Sequence, residues 1–281
     1  MQQNITFPSI FDSSMIASYK SCEMKFFRTY IEHWKPTGES VHLVAGGAFA
    51  RGLEVSRRAF YEDGQSVEDS IAAGLTALTK HYGNFQCPAD SAKSLERTMG
   101  ALEFYFEKYP LSWEDSVPLA LSDSTRAIEF SFAHPLPIQH PETGDPLLYV
   151  GRMDAIISTL GGTFICDEKT TTQLGASWAG QWDLRGQFTG YAWGCRQAGI
   201  RVDGAVVRGV SILKTKYDTL SPLTYRPEWQ IDRWYEELLS WIEDIIAKYK
   251  SNKWRHNLDE SCQSYGGCGL KRICLSQEPQ P

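Results

Sequence analysis

The chain has 281 residues, a formal net charge of −6 and seven cysteines, which is enough sequence to bury a sizeable core as one large domain or one domain with an appendage. No apolar run reaches the eighteen or so residues of a membrane span, and residues 1–8 lack the basic and apolar blocks of a secretion signal, so an intracellular, cytoplasmic protein is expected. An odd cysteine count in such a chain argues against a disulfide framework and leaves burial or metal binding to account for the thiols.

The acidic balance does not advertise a nucleic-acid binder. It is compatible with a carboxylate-rich centre inside a basic rim, for which Arg51, Arg57, Arg58, Lys214, Lys216, Lys248, Lys250, Lys253 and Arg255 are candidates. Any single one of them is more often solvated surface charge.

The first third reads as helical. After Ser13-Ser14, which resembles an N-cap, Met15, Tyr19, Cys22, Phe26 and Tyr30 recur at helical spacing. Residues 49–61, 67–82 and 92–109 continue the pattern until Pro110 ends it. The period then changes. Ile128, Phe130 and Phe132 mark a strand over 127–132, and the proline-rich 135–146 reads as a loop. Strands over 147–158 and 163–170, joined by Thr159-Leu160-Gly161-Gly162, form a β-hairpin. A helix over 181–197, a strand over 202–214 and a helix over 227–249 follow, the last with Trp234, Leu238, Trp241, Ile245 and Tyr249 as its core stripe. Helices, then a β-β-β-α-β core, then a helix and a Cys-rich tail predict an α/β fold with a mixed sheet flanked by helices.

The hairpin carries the chemistry. It contains Gly151-Arg152-Met153-Asp154 and then Ile165-Cys166-Asp167-Glu168-Lys169-Thr170. Side chains alternate along a strand, so Asp167 and Lys169 share a face, Glu168 points away, and Asp154 can lie beside Asp167. Two carboxylates with a lysine suit a hard cation such as Mg2+ or Mn2+. Such a cation polarises a phosphodiester oxygen and lowers the pKa of a bound water, while the lysine orients the water and offsets charge in the transition state. An Asp-x-Lys on its own is a loose motif and usually a solvated ion pair. Here Gly-x-x-Asp precedes it at hairpin distance. Gln187 and Tyr191 follow it four residues apart on one helix face.

This succession resembles the RecB-like branch of the PD-(D/E)XK nucleases over about residues 14–274. The resemblance implies a restriction-endonuclease-like fold forming a single nuclease domain over 1–281, with a mainly helical part (1–110), a nuclease core (120–225) and a C-terminal helix and Cys-rich tail (226–281) packing with the Cys22 region. It implies that Asp154 and Asp167 ligate the metal together with the main-chain carbonyl of Glu168, that Lys169 is the catalytic lysine, and that Gln187 and Tyr191 assist. Members of this type often carry Gly-x-x-x-His-x-x-x-Glu in an early helix, the His being a further ligand. This chain has Gly46 and Glu54, but Ala50 stands at the His position. Glu54 is a candidate substitute ligand or acid; His42 and Glu129 are further candidates.

Cys22 near one end and Cys262, Cys268 and Cys274 near the other resemble the arrangement of the iron–sulfur members, the AddB-type helicase-nucleases and the CRISPR-associated RecB-like exonucleases. That implies a [4Fe-4S] cluster stapling the chain ends, although spacing alone suits Zn2+ nearly as well. Cys87, Cys166 and Cys195 lack partners at ligand spacing and read as buried or free thiols. Trp178, Trp182 and Trp193 flank the catalytic helix; aromatics stack on unpaired bases but at helical spacing are more often core.

The expected function is a Mg2+/Mn2+-dependent deoxyribonuclease, an exonuclease on DNA ends or single strands in recombination, repair or phage DNA metabolism. The alternative, motivated by Ala50, is a catalytically weak or inactive nuclease fold that binds DNA or a recombination or replication partner. No phosphate-binding Gly-rich loop with Lys-Ser or Lys-Thr is present, so any helicase, recombinase or replication protein working with this chain is a separate one.

Overall fold

A computed structural model of the chain describes residues 5–36, 38–122, 125–258, 260–263 and 267–276. The chain divides into two compact units, one of Met1–Gly38, Ala133–Gly151 and Asp232–Pro281, the other of Glu39–Phe132 and Arg152–Ile231.

In the first unit, strand β1 (Ile10–Phe11) pairs in parallel with the beginning of a long strand, Ile10 opposite Leu148 and Phe11 opposite Tyr149. Helix α1 (Ser13–Ser21) is capped one residue before the serine pair, where Asp12 accepts the Met15 amide at 2.8 Å. It does not run on to Tyr30. Cys22 is extended (φ −163°, ψ 117°), and the chain restarts as α2 (Glu23–Phe26) and a π-helical turn over Phe27–Ile31. The break has a long-range cause. The Met24 amide donates to the Arg255 carbonyl at 3.0 Å, and the Arg255 amide donates to the Glu23 carboxylate at 2.9 Å. Partners from the tail have replaced bonds that a continuous helix would make within itself.

The proline-rich stretch 135–146, expected as a loop, is strand up to Gln139 and loop only over 140–145. In chain order β2 is Val117–Pro118, and β3 is Ile128–Gln139, which carries Pro135 and Pro137. The two prolines are two residues apart, so their missing N–H groups fall on the same edge of the strand. The other edge remains intact for pairing with β4 (Pro146–Thr159).

In the second unit three helices come first: α3 (Val41–Tyr61), α4 (Val67–Tyr82) and α5 (Leu95–Lys108). Ser66 and Ser94 cap the latter two by accepting the Asp69 and Arg97 amides. Helices α3 and α4 meet at paired glycines, where a Cβ added to Gly74 would lie 2.6 Å from the Gly52 carbonyl oxygen. Phe49, Leu53, Leu78, Leu102 and Tyr105 pack there with Val210 and Ile212.

Strand β5 (Gly162–Thr171) runs antiparallel to β4 and parallel to β6 (Gly204–Ile212), from Phe164 opposite Gly204 to Thr171 opposite Ser211. A parallel pair needs a crossover. It is made by α7 (Gly186–Gln197), which starts five residues later than the helix expected over 181–197, and by a short helix outside the expected set, α6 (Ala176–Gly180). Two short strands outside the expected set, β7 (Tyr217–Leu220) and β8 (Leu223–Tyr225), pair antiparallel with β6. The α/β architecture with a mixed sheet and flanking helices agrees with the sequence pattern. The last long helix, α8 (Glu228–Ser251), buries Leu238, Ile242 and Ile245, with Trp241 only half-buried. Among the described residues, no helix is long and apolar enough to cross a membrane.

Candidate active site

The β4–β5 ladder ends at Ala155 opposite Cys166. Beyond that pair the strands fork, and Asp154 and Asp167 stand at the opening. The Glu168 amide takes the Asp154 carboxylate as its acceptor, with Oδ2 at 2.7 Å. One oxygen of Asp154 is thus fixed by the main chain of the next strand.

Asp167 is 2% exposed. Its Oδ2 is enclosed, has no aligned hydrogen-bond donor, and lies 2.5 Å from the Lys169 ammonium. Burial raises the proton affinity of Asp154, and the charges of Asp167 and Glu168 raise it further. Burial likewise raises that of Asp167, against the opposing pull of Lys169. For Lys169, burial favours the neutral amine, but Asp167 and Asp154 outweigh it and hold the ammonium protonated. Two crowded carboxylates, one with an enclosed and unaligned oxygen, form a donor set that a small hard cation relieves. The residues fit such an ion.

Gln187 and Tyr191 join this cluster from α7. The Gln187 amide donates to the Tyr191 hydroxyl at 3.1 Å. Burial pushes the Tyr191 phenol up to about 12, and the charges of Asp167, Lys169 and Asp154 act on it. At neutral pH the hydroxyl therefore stays a donor. Glu54 does not converge with the aspartates. It pairs with Arg51 at 2.6 Å and Arg58 at 3.3 Å along α3. Among the described residues, no three His, Cys, Asp or Glu side chains stand together as a metal cage.

Glu168 faces the other way, into a buried network that sequence reasoning missed. Its carboxylate is ion-paired with Arg57 and accepts from the Tyr105 hydroxyl at 2.8 Å and the Cys166 thiol at 3.1 Å. Arg208 donates to Tyr105 at 3.1 Å and to Ser116 at 2.6 Å. Burial would raise the Glu168 pKa, but Arg57 and Arg208 hold it down at about 2. Arg57, a rim candidate by sequence, is a core residue instead. Its position on the stripe Phe49-Leu53-Arg57 was the available signal, because a charge on an apolar helix face needs a buried partner.

In the first unit, Cys22, Cys262, Cys268 and Cys274 line one cavity, and none is in a disulfide. The segment carrying Cys262 is sewn to the Cys22 region: Asn257 donates to the Ser21 carbonyl at 2.7 Å, and Ser261 donates to it at 2.9 Å. Burial raises the Cys274 thiol pKa, and Cys268, Cys22 and Cys262 all add to it. The four free thiols line one cavity, but among the described residues no three of them are grouped closely enough to hold a metal ion. Cys166 and Cys195 are buried and Cys87 is half-buried, each with a free thiol.

Comparison with known proteins identifies the family. The family model of the PD-(D/E)XK nuclease superfamily matches residues 13–275. Among solved structures, the chain is similar in fold to a "Putative exonuclease" from Eubacterium rectale, with a TM-score of 0.52 and 13% identity over 92% of this chain and 88% of that one. The structure of SSO0001 matches with a TM-score of 0.35 and 17% identity over 81% of this chain and 83% of that one. Among curated proteins, none gives a match. The match over residues 13–275 covers most of the sequence, and the chain belongs to the PD-(D/E)XK nuclease superfamily.

Proposed function

We propose that this protein is a Mg2+- or Mn2+-dependent deoxyribonuclease of the RecB-like type, an exonuclease on DNA ends or single strands in recombination, repair or phage DNA metabolism. The observation that carries the reading is the enclosed Asp167 carboxylate paired with Lys169 beside Asp154 at the mouth of a strand fork. Asp154 and Asp167 would hold the cation, with the Glu168 carbonyl as a main-chain ligand. When bound, the cation polarises the phosphodiester and acidifies water. Lys169, held protonated by the aspartates, does not take up a proton. It orients the nucleophile and offsets the charge gathering on the phosphoryl oxygens. Tyr191, kept as a phenol and fixed by Gln187, is placed to donate to the same cluster. The family match over 13–275 supports one nuclease domain, acting in the cytoplasm with any helicase, recombinase or replication partner as a separate chain.

The test is cleavage of labelled single- and double-stranded DNA with Mn2+ and then with EDTA. Cleavage that needs the metal and disappears in Asp167→Ala and Lys169→Ala supports the reading. Equal cleavage by those variants sinks the site assignment. A parent that binds DNA yet cuts neither substrate supports the second reading, a non-cutting DNA-binding fold, which Ala50 at the histidine position of the motif favours.

At the other site we propose a [4Fe-4S] cluster held by Cys22, Cys262, Cys268 and Cys274, with Zn2+ as the competing occupant. The support is the convergence of all four thiols on one cavity. Brown colour with iron and sulfide in the purified protein, lost in Cys268→Ser, is the expected result. Stoichiometric zinc without iron decides for the alternative.

A further inference from the structure

One residue of the fork region sits in a backbone conformation that its side chain disfavours. Glu129 has φ 52°, in the left-handed region, which a residue with a Cβ adopts only when its surroundings hold it there. Those surroundings are specific. Arg58 on α3 donates to the preceding Ile128 carbonyl at 3.0 Å, and Ser131 donates to the Glu129 carbonyl at 3.2 Å. The result is a Glu129 side chain only 15% exposed whose Oε2 lies 3.0 Å from Arg152 Nε. Arg152 is 72% exposed. Its two Nη groups have no partner among the described residues. Arg152 also stands two residues before Asp154 on β4, about 7 Å along a strand.

We propose that Arg152 is a phosphate clamp for the DNA strand being cut and that Glu129 is its positioning residue. This rests on the nuclease reading above. The ion pair with Glu129 restrains the guanidinium beside β3 and leaves its Nη groups available, and a guanidinium's planar fork matches two phosphate oxygens. Left alone, a solvent-exposed arginine samples many rotamers and loses that entropy on binding. Glu129 removes much of that freedom beforehand. The left-handed backbone at Glu129 accompanies this ion pair.

The experiment combines DNA binding without metal and steady-state cleavage with Mn2+. A fluorescent single-stranded oligonucleotide is titrated in EDTA at several salt concentrations. Arg152→Ala is expected to weaken binding about tenfold, the loss of one charge-assisted contact. It should lower the salt slope by about 0.7, the value for one phosphate on a single strand. Under Mn2+ the same loss appears in KM more than in kcat. Glu129→Gln, which keeps shape but removes the charge, is expected to raise KM about threefold in the parent and to have no effect in an Arg152→Ala background. A merely structural role for Glu129 would keep its effect in both. Arg233→Ala, removing an equally exposed arginine in an i,i+4 pair, is the control expected to move nothing.

Parent-like KM and salt slope in Arg152→Ala overturn the proposal, as does a Glu129→Gln effect that persists without Arg152. If the parent cuts nothing but binds in EDTA, the nuclease reading fails and the salt slope still decides the clamp. If the parent does not bind DNA, both fail.

Discussion

Glu168 shares its buried pocket with two guanidinium groups, and that imbalance makes an asymmetric prediction. In Arg57→Met the volume is nearly kept, and the Glu168 carboxylate retains Tyr105 at 2.8 Å, the Cys166 thiol at 3.1 Å and the field of Arg208. The loss belongs at the lower end for a broken buried pair, about 3 kcal/mol. In a chain of this size that is a fall in Tm of roughly 6–12 °C. Glu168→Gln leaves Arg57 and Arg208 together with no counter-ion, and Tyr105 keeps only a neutral amide oxygen as acceptor. Its cost belongs at the upper end, about 5 kcal/mol. In the double variant only Arg208 remains charged, still bonded to Tyr105 and Ser116. Its loss should fall short of the two single losses added together by about 2 kcal/mol or more. Thermal unfolding by circular dichroism of the four proteins reads all three quantities. Strict additivity, or an Arg57→Met protein less stable than Glu168→Gln, would refute the view that one carboxylate holds two cations.

Three other outcomes follow from the same physics. Asp154→Asn keeps an oxygen for the Glu168 amide but removes a carboxylate whose proton affinity burial and Asp167 have raised; it should unfold about 2–4 °C higher than the parent, a gain of about 1 kcal/mol, while losing metal-dependent cleavage. Lys93 is 2% exposed and bonded to Thr170 Oγ1 at 3.1 Å, and burial lowers its pKa from 10.5 to about 8. The unfolded chain holds this proton up to pH 10.5 and the folded one only to about 8, so stability rises with pH across that window, by about 3 kcal/mol in all. Denaturant titrations at pH 7.5, 9 and 10.5 should show the rise in the parent and not in Lys93→Met. Gly74→Ala drives a methyl group against the Gly52 carbonyl between α3 and α4; because backbone cannot rotate away, a loss of at least about 2 kcal/mol is expected in the same assay, and a neutral result would mean that the two helices part easily.

The site was legible where local rules decide. The alternation of Cys166-Asp167-Glu168-Lys169 placed Asp167 with Lys169 and turned Glu168 away, because a strand has only two faces. The Gly161-Gly162 turn set the hairpin, and Gly162 does adopt φ 136° there. Helix 67–82 was readable in full. What escaped depends on partners remote in sequence. The helix break at Cys22 needs Arg255, whose residues meet only after folding. The strand through Pro135 and Pro137 needs the knowledge that β3 uses one edge. Strands β7 and β8 are three or four residues long and exist because β6 offers them an edge. Glu54 matched a motif by spacing alone, and its arginine neighbours on α3 claimed it.

The strand β5 works on both its faces at once, and this bears on how the sheet finds its alignment. Sliding β5 by a single residue against β6 would exchange the faces. In one direction Lys169 would enter the pocket of Arg57 and Arg208, bringing three cations together. In the other the shorter Asp167 would replace Glu168 there, and the opposite face would lose its aspartate–lysine pair. Either misaligned sheet keeps most of its main-chain bonds, so the backbone alone discriminates poorly. The anchor behind the strand supplies the difference, and Asp154 and Asp167 arrive at the fork because the buried Glu168 has only one place to go.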